Sequence, residues 1–305
     1  MYTAVTLKGP HIQHTDMEAT SLTSNAVTLA KYLALTQPNN KVQVMYVWII
    51  DGTNQHMGSQ TKIVPFVPTD ASELPLWTPA GASTGHEEGI YLLPVQLYDD
   101  PFRGGNNKLV MCETVRYDRQ PTEDNHRHSC KVAMDLVRDQ QPWFGVQQEY
   151  TPADGRHYEY TEFGAHVVDA HLKACLYAGI AIAGEKTDND SKWEFQVGPC
   201  EGVTIGDDIW MARFLMQRVA KDFGVDVSFS PYDDRTGVLC RRAHCNFSTE
   251  AMREPGGMAA IDRAAECLSR KHDKHIATDD PRGDGSPTHT THRYGGDIVD
   301  IKRGN

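Results

Sequence analysis

The 305-residue chain lacks several features that would assign it at once to a membrane or to secretion. Its longest apolar run, Val44–Ile50, is far shorter than the roughly 20 residues that cross a bilayer, so we expect no membrane association. Met1–Asn25 has no apolar segment behind basic residues, which argues against a signal peptide. These absences favour a cytoplasmic protein.

Positive charge is also scarce, and no C-x-x-C pair is present. With a formal net charge of −11, the chain is a poor candidate for nucleic-acid binding, which depends on Lys and Arg at phosphates. The seven cysteines are odd in number, and Cys240 and Cys245 have no matching second pair that would complete a zinc site. Buried, reduced thiols in a cytosolic protein are the simpler interpretation.

The first part of the chain predicts a polar arm followed by a small sheet-rich domain. Residues 1–40 are rich in Thr and Asn, with a short helix predicted near Ala26–Leu35. Residues 41–101 form the predicted first domain. Its apolar, β-branched segments predict strands, and Pro and Gly predict a loop at Pro65–Gly89. Strands are predicted at Lys41–Ile50 and Tyr91–Val95, and a third, Leu109–Tyr117, lies beyond the predicted domain end.

Helices and strands alternate over residues 102–280, which indicates a catalytic-type domain of the α+β or α/β class. Apolar spacing predicts helices at Ser129–Val137, Val167–Tyr177, Ile209–Phe223 and Met258–Arg270. Strands are predicted at Phe144–Tyr150, Lys192–Val197 and Val225–Phe229. Residues 281–305, rich in Gly, Asp, Thr and His, are predicted to be a loose tail.

Three short segments carry side chains suited to metal chemistry. In a strand, Gln147 and Glu149 point to the same face, and Glu194 lies between two aromatic residues. His244, with Asn246 and Ser248, would share one face of an extended segment. Two Glu and one His from separate strands suit an Mg²⁺ or Mn²⁺ site. The alternative is that these residues are ordinary polar faces of strands.

Eight stretches, in one consistent order, resemble segments of animal-type glutamine synthetases. They are Val42–Thr53, Asp100–Glu113, Asn125–Lys131, Gln141–Thr151, Asp169–Gly184, Trp193–Gly202, Ala212–Val225 and His244–Glu254. The resemblance implies an α+β fold, with an N-terminal β-grasp domain and a larger catalytic domain. It also implies ring-shaped oligomers whose active sites form between neighbouring subunits.

The family reaction joins glutamate and ammonia at the expense of ATP, through γ-glutamyl phosphate, with divalent metal ions. By resemblance, Glu149, Glu194 and His244 are metal ligands. The positions that match the nucleotide side of the family site are Trp143, Pro199, Asn246, Ser248 and Arg253.

Other positions depart from the family pattern. Gln147 replaces a metal-binding Glu, and Asp188 is a shorter substitute for another Glu in a segment with one residue deleted. Ala80 stands at the position of the ammonium-binding Asp, so no intact catalytic residue is identified there. Leu239–Arg242 replaces a Gly-rich segment that holds glutamate, and after Pro281 the family's arginine and flap segments find no match.

These departures predict a divergent, C-terminally shortened pseudoenzyme with a structural or regulatory role. We expect a homo-oligomer, or co-assembly with an active glutamine synthetase. Two alternatives stay open: an active glutamate–ammonia ligase that uses compensating groups, and a nonfunctional product of gene decay.

Overall fold

The computed structural model describes residues 27–38, 40–51, 56–79, 89–153, 162–187, 193–230 and 243–271. The chain divides into two units, Met1–Asn39 and Asn40–Asn305. In the first unit, residues 27–33 form a helix (α1), as predicted for this region. Its apolar side chains are exposed, among them Val27, Leu29 and Tyr32.

Four strands of the second unit form the first sheet, in the order β2-β1-β4-β3. They are β1 (Val42–Asp51), β2 (His56–Val64), β3 (Tyr91–Asp99) and β4 (Lys108–Val115). β1 and β4 are parallel, whereas β1–β2 and β3–β4 are antiparallel. The sheet therefore continues past residue 101, since β4 pairs with both β1 and β3. The domain boundary at 101 stays a prediction.

β1 carries the longest apolar run of the chain because both of its faces are buried. Val44 and Tyr46 belong to a small core that includes Ala71 from a 3-10 turn at Ala71–Glu73. Met45 and Val47 point the other way, into the main core. A strand buried on both sides needs apolar residues at consecutive positions, not at alternate ones.

The second sheet has the order β6-β7-β5-β8, with β9 also paired to β5. All of its pairs are antiparallel. The strands are β5 (Trp143–Pro152), β6 (Ile182–Thr187), β7 (Trp193–Glu201), β8 (Val227–Ser228) and β9 (Ala243–Ser248). β5 is central, with β7 along one side and β9 followed by β8 along the other.

Helices α3 (Glu162–Ala178) and α4 (Thr204–Asp222) pack on one face of this sheet. The apolar side of α4 is buried over most of its length, at Ile209, Met211, Ala212, Phe214, Leu215, Met216, Val219 and Ala220. These residues share the main core with Phe195 and Val197 of β7. We call this side of the second sheet the helix face and the opposite side the site face.

Three further helices complete the described part of the chain: α2 (His126–Leu136), α5 (Glu250–Arg253) and α6 (Met258–Ser269). A 3-10 turn at Arg138–Gln140 follows α2. α2 begins before the predicted Ser129 because the Asn125 side chain caps it, accepting the backbone N–H of His128 at 3.1 Å. Within the described residues, no helix is long and apolar enough to span a membrane.

A buried ionic cluster ties α2 to the first sheet and to α4. Arg127 Nε and Nη2 donate to the two carboxylate oxygens of Asp207 at 2.7 and 2.8 Å. Arg127 Nη1 donates to Glu113 of β4, whose other oxygen accepts from Asn125 Nδ2 at 3.1 Å. The cluster holds three elements together, and each of its two carboxylates accepts at least one hydrogen bond from Arg127.

The predicted α+β class is confirmed. Most predicted strands and helices are present within a few residues of the predicted bounds, but β2 and β6 were not predicted. β2 is a largely polar edge strand, and β6 contains Ala, Gly, Glu and Lys, which are poor strand formers. Ala80, Asp188, Leu239–Arg242 and residues 272–305 lie outside the described residues.

Candidate functional site

β5 places its odd-numbered side chains on the site face and its even-numbered ones toward the helices. Tyr150 is fully buried and Gln148 nearly so, both on the helix face, whereas Gln147 and Glu149 are half-buried on the site face. The alternation follows from the side-chain period of two in a strand. It confirms the prediction that Gln147 and Glu149 point the same way.

Strand register brings the predicted metal residues together in two adjacent rows across the site face. The carboxylate row comprises Lys186, Glu194 and Glu149 on β6, β7 and β5. The amide row comprises Gly184, Gln196, Gln147 and His244 on β6, β7, β5 and β9. Directly opposed residues on neighbouring strands have Cβ atoms about 5 Å apart, so members of one row are side-chain neighbours.

Glu149 and Glu194 are therefore a facing carboxylate pair. Gln196 Nε2 donates to Glu194 Oε1 at 2.9 Å, which fixes one of these carboxylates. His244 lies in the other row, opposite Gln147 rather than opposite a carboxylate. Two carboxylates provide oxygen ligands of the kind that Mg²⁺ and Mn²⁺ prefer.

The set does not amount to a complete metal centre. Within the part of the chain that the structure describes, no group of three His, Cys, Asp or Glu side chains could hold a metal ion. Gln147 is the reason at the centre of the face, because an amide offers at most one neutral oxygen, which is a weaker ligand for a divalent cation than a carboxylate. The residues present therefore fit a divalent cation only in part.

The residues predicted for the nucleotide side cluster at the other end of β5. Trp143 lies opposite Ser248, and the Arg253 guanidinium carbon lies 3.9 Å from the centre of a Trp143 ring. Arg253 Nη1 donates to the Ser248 backbone oxygen and hydroxyl at 3.1 and 3.0 Å, and Nη2 donates to the Gln141 backbone oxygen at 2.8 Å. Arg253 thus fastens α5 to β5 and β9.

Asn246 and Pro199 flank the same end of the face. Asn246 lies opposite Gly145, which has no side chain, and Pro199 lies in the irregular part of the β5–β7 pairing beside it. Both flanking residues are exposed. Gly198, before Pro199, has a φ of 100°, and a Cβ there would come within 2.6 Å of the Phe144 backbone oxygen. Only glycine fits that position.

A cavity of about 440 Å³ adjoins this cluster. Ser248 and Arg253 line one side, and Met258, Ile261 and Ala264 of α6 line another. A cavity of this size is within the range of small-molecule sites. Its apolar wall and polar edge suit a flat heterocycle better than a highly charged group.

Two polar contacts on the helix face hold the site strands in place. Arg213 of α4 donates through Nε to Gln148 Oε1 at 3.0 Å, and its guanidinium lies 4.6 Å from a Trp210 ring centre. Burial lowers the pKa of Arg213 to about 10. The contact fixes Gln148, and with it the orientation of Gln147 and Glu149 on the opposite face.

The second contact joins α3 to β6. His171 Nδ1 lies 2.5 Å from Glu185 Oε1, and His171 Nε2 lies 3.0 Å from the Ala212 backbone oxygen. Burial opposes the charge on His171, but the contacts with Cys175 and Glu185 outweigh it and raise the pKa of His171 to about 10. The His171 imidazole therefore keeps its proton at neutral pH, next to the Glu185 carboxylate.

Sequence reasoning missed Lys186, Gln196, Arg213 and His171 as parts of this arrangement. Gln196 was detectable, since it lies two residues after Glu194 in the same strand. Lys186 had no comparable signal, because its place depends on β6 pairing with β7. The predicted roles of Ala80 and Asp188 stay predictions, as both residues lie outside the described ranges.

Comparisons with known proteins agree with this geometry. The chain is 45% identical to a glutamine synthetase of Panulirus argus over 284 residues, covering 85% of this chain and 78% of that protein. It is 41% identical to a glutamine synthetase of Gallus gallus over 295 residues, covering 87% and 78%. No family model matches the chain.

Among solved structures, the chain is similar to one described as a novel glutamine synthase homolog. The TM-score is 0.52 at 15% identity, and the match covers 70% of this chain and 56% of the other. At this identity the likeness shows a shared fold.

Proposed function

Because this chain belongs to the glutamine synthetase family, we propose that it is a member that keeps part of the nucleotide side of the site but does not complete glutamine synthesis. The family reaction ligates ammonia to glutamate with ATP and a divalent metal. In this proposal the chain is a pseudoenzyme with a structural or regulatory role.

The composition of the amide row carries the proposal. Gln147 and Gln196 stand side by side in the middle of the site face, so the only facing carboxylates among the described site-face pairs are Glu149 and Glu194. Phosphoryl transfer to glutamate needs metal ions that neutralise the charge of the moving group. With Gln147 in place of a metal-binding Glu, the site face supplies less negative charge than such a metal set requires.

The nucleotide end of the face supports retained binding of ATP or its adenine part. Trp143, Ser248 and Arg253 form one connected cluster next to the 440 Å³ cavity. The wall formed by Phe247 and the apolar residues of α6 would take a base, and Ser248 offers a hydrogen-bonding group at its edge. Mg²⁺ or Mn²⁺ would be held, if weakly, by Glu149 and Glu194.

A cytoplasmic homo-oligomer, or a mixed ring with an active glutamine synthetase, is the assembly we propose. The first sheet supports it, since its four strands are paired and expose Ile50 on β1, Ile63 on β2 and Phe66 just after β2. Light scattering at tens of micromolar protein tests the first form. A folded monomer there would rule out the homo-oligomer.

The decisive experiment is a coupled assay for ATP hydrolysis that depends on both glutamate and ammonium, with Mg²⁺ or Mn²⁺. We expect no glutamine above background from the purified chain. Glu194→Ala is the matched control, because it removes a carboxylate of the facing pair. Glutamine formation that this substitution abolishes would overturn the proposal.

An active ligase is the second candidate. The facing Glu149–Glu194 pair favours it, and His244 lies on the same face in the adjacent row, opposite Gln147. This candidate requires the missing charge to come from groups outside the described residues or from another chain. The same assay separates it from the pseudoenzyme.

A further inference from the structure

The cavity of about 440 Å³ lies on the other side of β9 from the site face. Phe247 lines the cavity, whereas His244 and Asn246 of the same strand belong to the site face. Successive side chains of a strand point to opposite sides, so Phe247 faces away from the carboxylate row. Ser248, the last residue of β9, lines the edge of the cavity. A ligand held there is therefore across β9 from the facing carboxylates.

The described residues that line the cavity carry almost no net charge. Five of them form an apolar wall: Phe247, Met252, Met258, Ile261 and Ala264. The charged side chains among the described lining residues are Arg253 and Glu254, which are of opposite sign. Aromatic, thioether and aliphatic groups together favour a flat, uncharged ring.

Arg253, the cation of this set, is held by contacts within the protein. Its Nη1 donates to the backbone oxygen and the hydroxyl of Ser248 at 3.1 and 3.0 Å, and its Nη2 donates to the Gln141 backbone oxygen at 2.8 Å. A Trp143 ring covers the guanidinium, with 3.9 Å between the ring centre and the guanidinium carbon. A phosphate group would have to compete with these contacts, next to the carboxylate of Glu254. Arg253 therefore offers a phosphate little attraction.

We propose that the cavity binds a purine nucleoside through its base and does not bind the phosphates, so that adenosine, AMP and ATP bind equally well without a divalent metal. The inference deepens the proposed function and rests on it, because it narrows the ligand of the nucleotide end from ATP to the uncharged nucleoside. The apolar wall covers the faces of the base. The Ser248 hydroxyl, which accepts from Arg253, can donate its own hydrogen to a ring nitrogen.

Calorimetry on the full chain compares adenosine, AMP and ATP, in EDTA and in Mg²⁺. An uncharged ligand of the size of adenosine is expected to bind with a Kd on the order of 0.1 mM. We expect the Kd values of AMP and ATP to lie within about threefold of it, because hydrogen bonds to a charged phosphate would strengthen binding by about tenfold or more. Inorganic triphosphate, which has no base, should not displace adenosine.

A substitution that fills the cavity tests its location. Ala264→Leu places a larger side chain in the wall and should weaken adenosine binding by about tenfold or more. Ala259→Leu makes the same change at an exposed position of the same helix and should leave the affinity unchanged. The comparison of the three ligands uses the unaltered chain, so it decides the question even where Ala264→Leu does not fold.

Four results would each overturn the inference: ATP that binds more than about threefold more tightly than adenosine in either buffer, displacement of adenosine by inorganic triphosphate, no saturable adenosine binding at millimolar concentration, or unchanged adenosine affinity in a folded Ala264→Leu variant. None of these results measures glutamine formation. The pseudoenzyme proposal is therefore decided separately, by the ligase assay.

Discussion

The two faces of the second sheet are built by the same strands but carry different kinds of side chain. On the helix face, Tyr150 and Phe195 are fully buried in the main core, and the polar groups Gln148 and His171 have defined partners. On the site face, the same strands present carboxylates, amides and Lys186. The fold therefore depends on the packing of the helix face. Substitutions on the site face change the charge and the metal-binding groups of the site and have little effect on packing.

The largest expected effect comes from breaking the helix face at Phe195. This ring is fully buried, with its centre 5.8 Å from that of Tyr150 and 5.0 Å from that of His171. We expect Phe195→Ala to lower the free energy of unfolding by about 3–5 kcal/mol, through lost transfer energy and the cavity that remains. Urea denaturation measures it.

Gln196→Ala is the control, one position along the same strand but on the site face. We expect it to cost less than about 1 kcal/mol, since it removes one half-buried hydrogen bond to Glu194. Equal losses for the two substitutions would contradict the proposed difference between the faces.

The next largest effect concerns the buried cluster around Arg127, which supports the core from the first sheet. Arg127→Met leaves Asp207 and Glu113 buried without their guanidinium partner, so we expect a loss of about 3 kcal/mol in unfolding free energy. Arg138→Met removes an ion pair whose Arg side chain is 73% exposed, and it should cost less than about 0.5 kcal/mol. Similar effects of both substitutions would show that the cluster contributes no more than a surface pair.

A smaller effect, of about 2 kcal/mol at neutral pH, is expected for His171→Gln, which disrupts the contact between α3 and β6. The loss should depend on pH. The folded-state pKa of His171, about 10, lies above its ordinary value of 6.5, so folding takes up a proton between these values. The stability from this proton is fully present below pH 6.5 and is lost as pH rises through 10.

Denaturation at several pH values tests this sign. The unfolding free energy of the unaltered chain should decline more steeply between pH 7 and pH 10 than that of His171→Gln. His128→Gln, on the exposed surface of α2, should keep the slope of the unaltered chain. Parallel curves for the unaltered chain and His171→Gln would contradict the raised pKa.

The sequence predicted the helix face better than the site face, and the reason is the range of the interactions involved. Apolar spacing located α4 and the strands β5 and β7, because burial repeats with a local period. The same period put Gln147 and Glu149 on one face. The alignment of Glu149 with Glu194, and of Gln147 with His244, depends on the register between distant segments, which no local pattern specifies.

Arg253 shows a further limit of prediction. The family resemblance predicted that Arg253 lies on the nucleotide side of the site. In the structure, two of its nitrogens donate to the backbone oxygens of Ser248 and Gln141. Residue type and order cannot reveal that a guanidinium is already engaged within the protein. Lys186 shows a different limit. Its position opposite Glu194 depends on the pairing of β6 with β7, and β6 was not predicted.

The smallest expected effect is that of Glu149→Gln on the site face. This substitution keeps the size of the side chain and removes one of two facing negative charges, while Glu194 keeps Lys186 opposite and Gln196 beside it. We expect the free energy of unfolding to change by less than about 0.5 kcal/mol, with the variant the more stable one at low salt. The difference should shrink as salt is added, because exposed charges are screened.

Urea denaturation at two ionic strengths measures both quantities. Gln147→Glu is the counterpart: it adds a third carboxylate and should destabilise the protein by a similar amount. A loss of more than 1 kcal/mol for Glu149→Gln would mean that the contacts of this carboxylate contribute as much to stability as buried contacts on the helix face do. The proposed difference between the two faces would then be wrong.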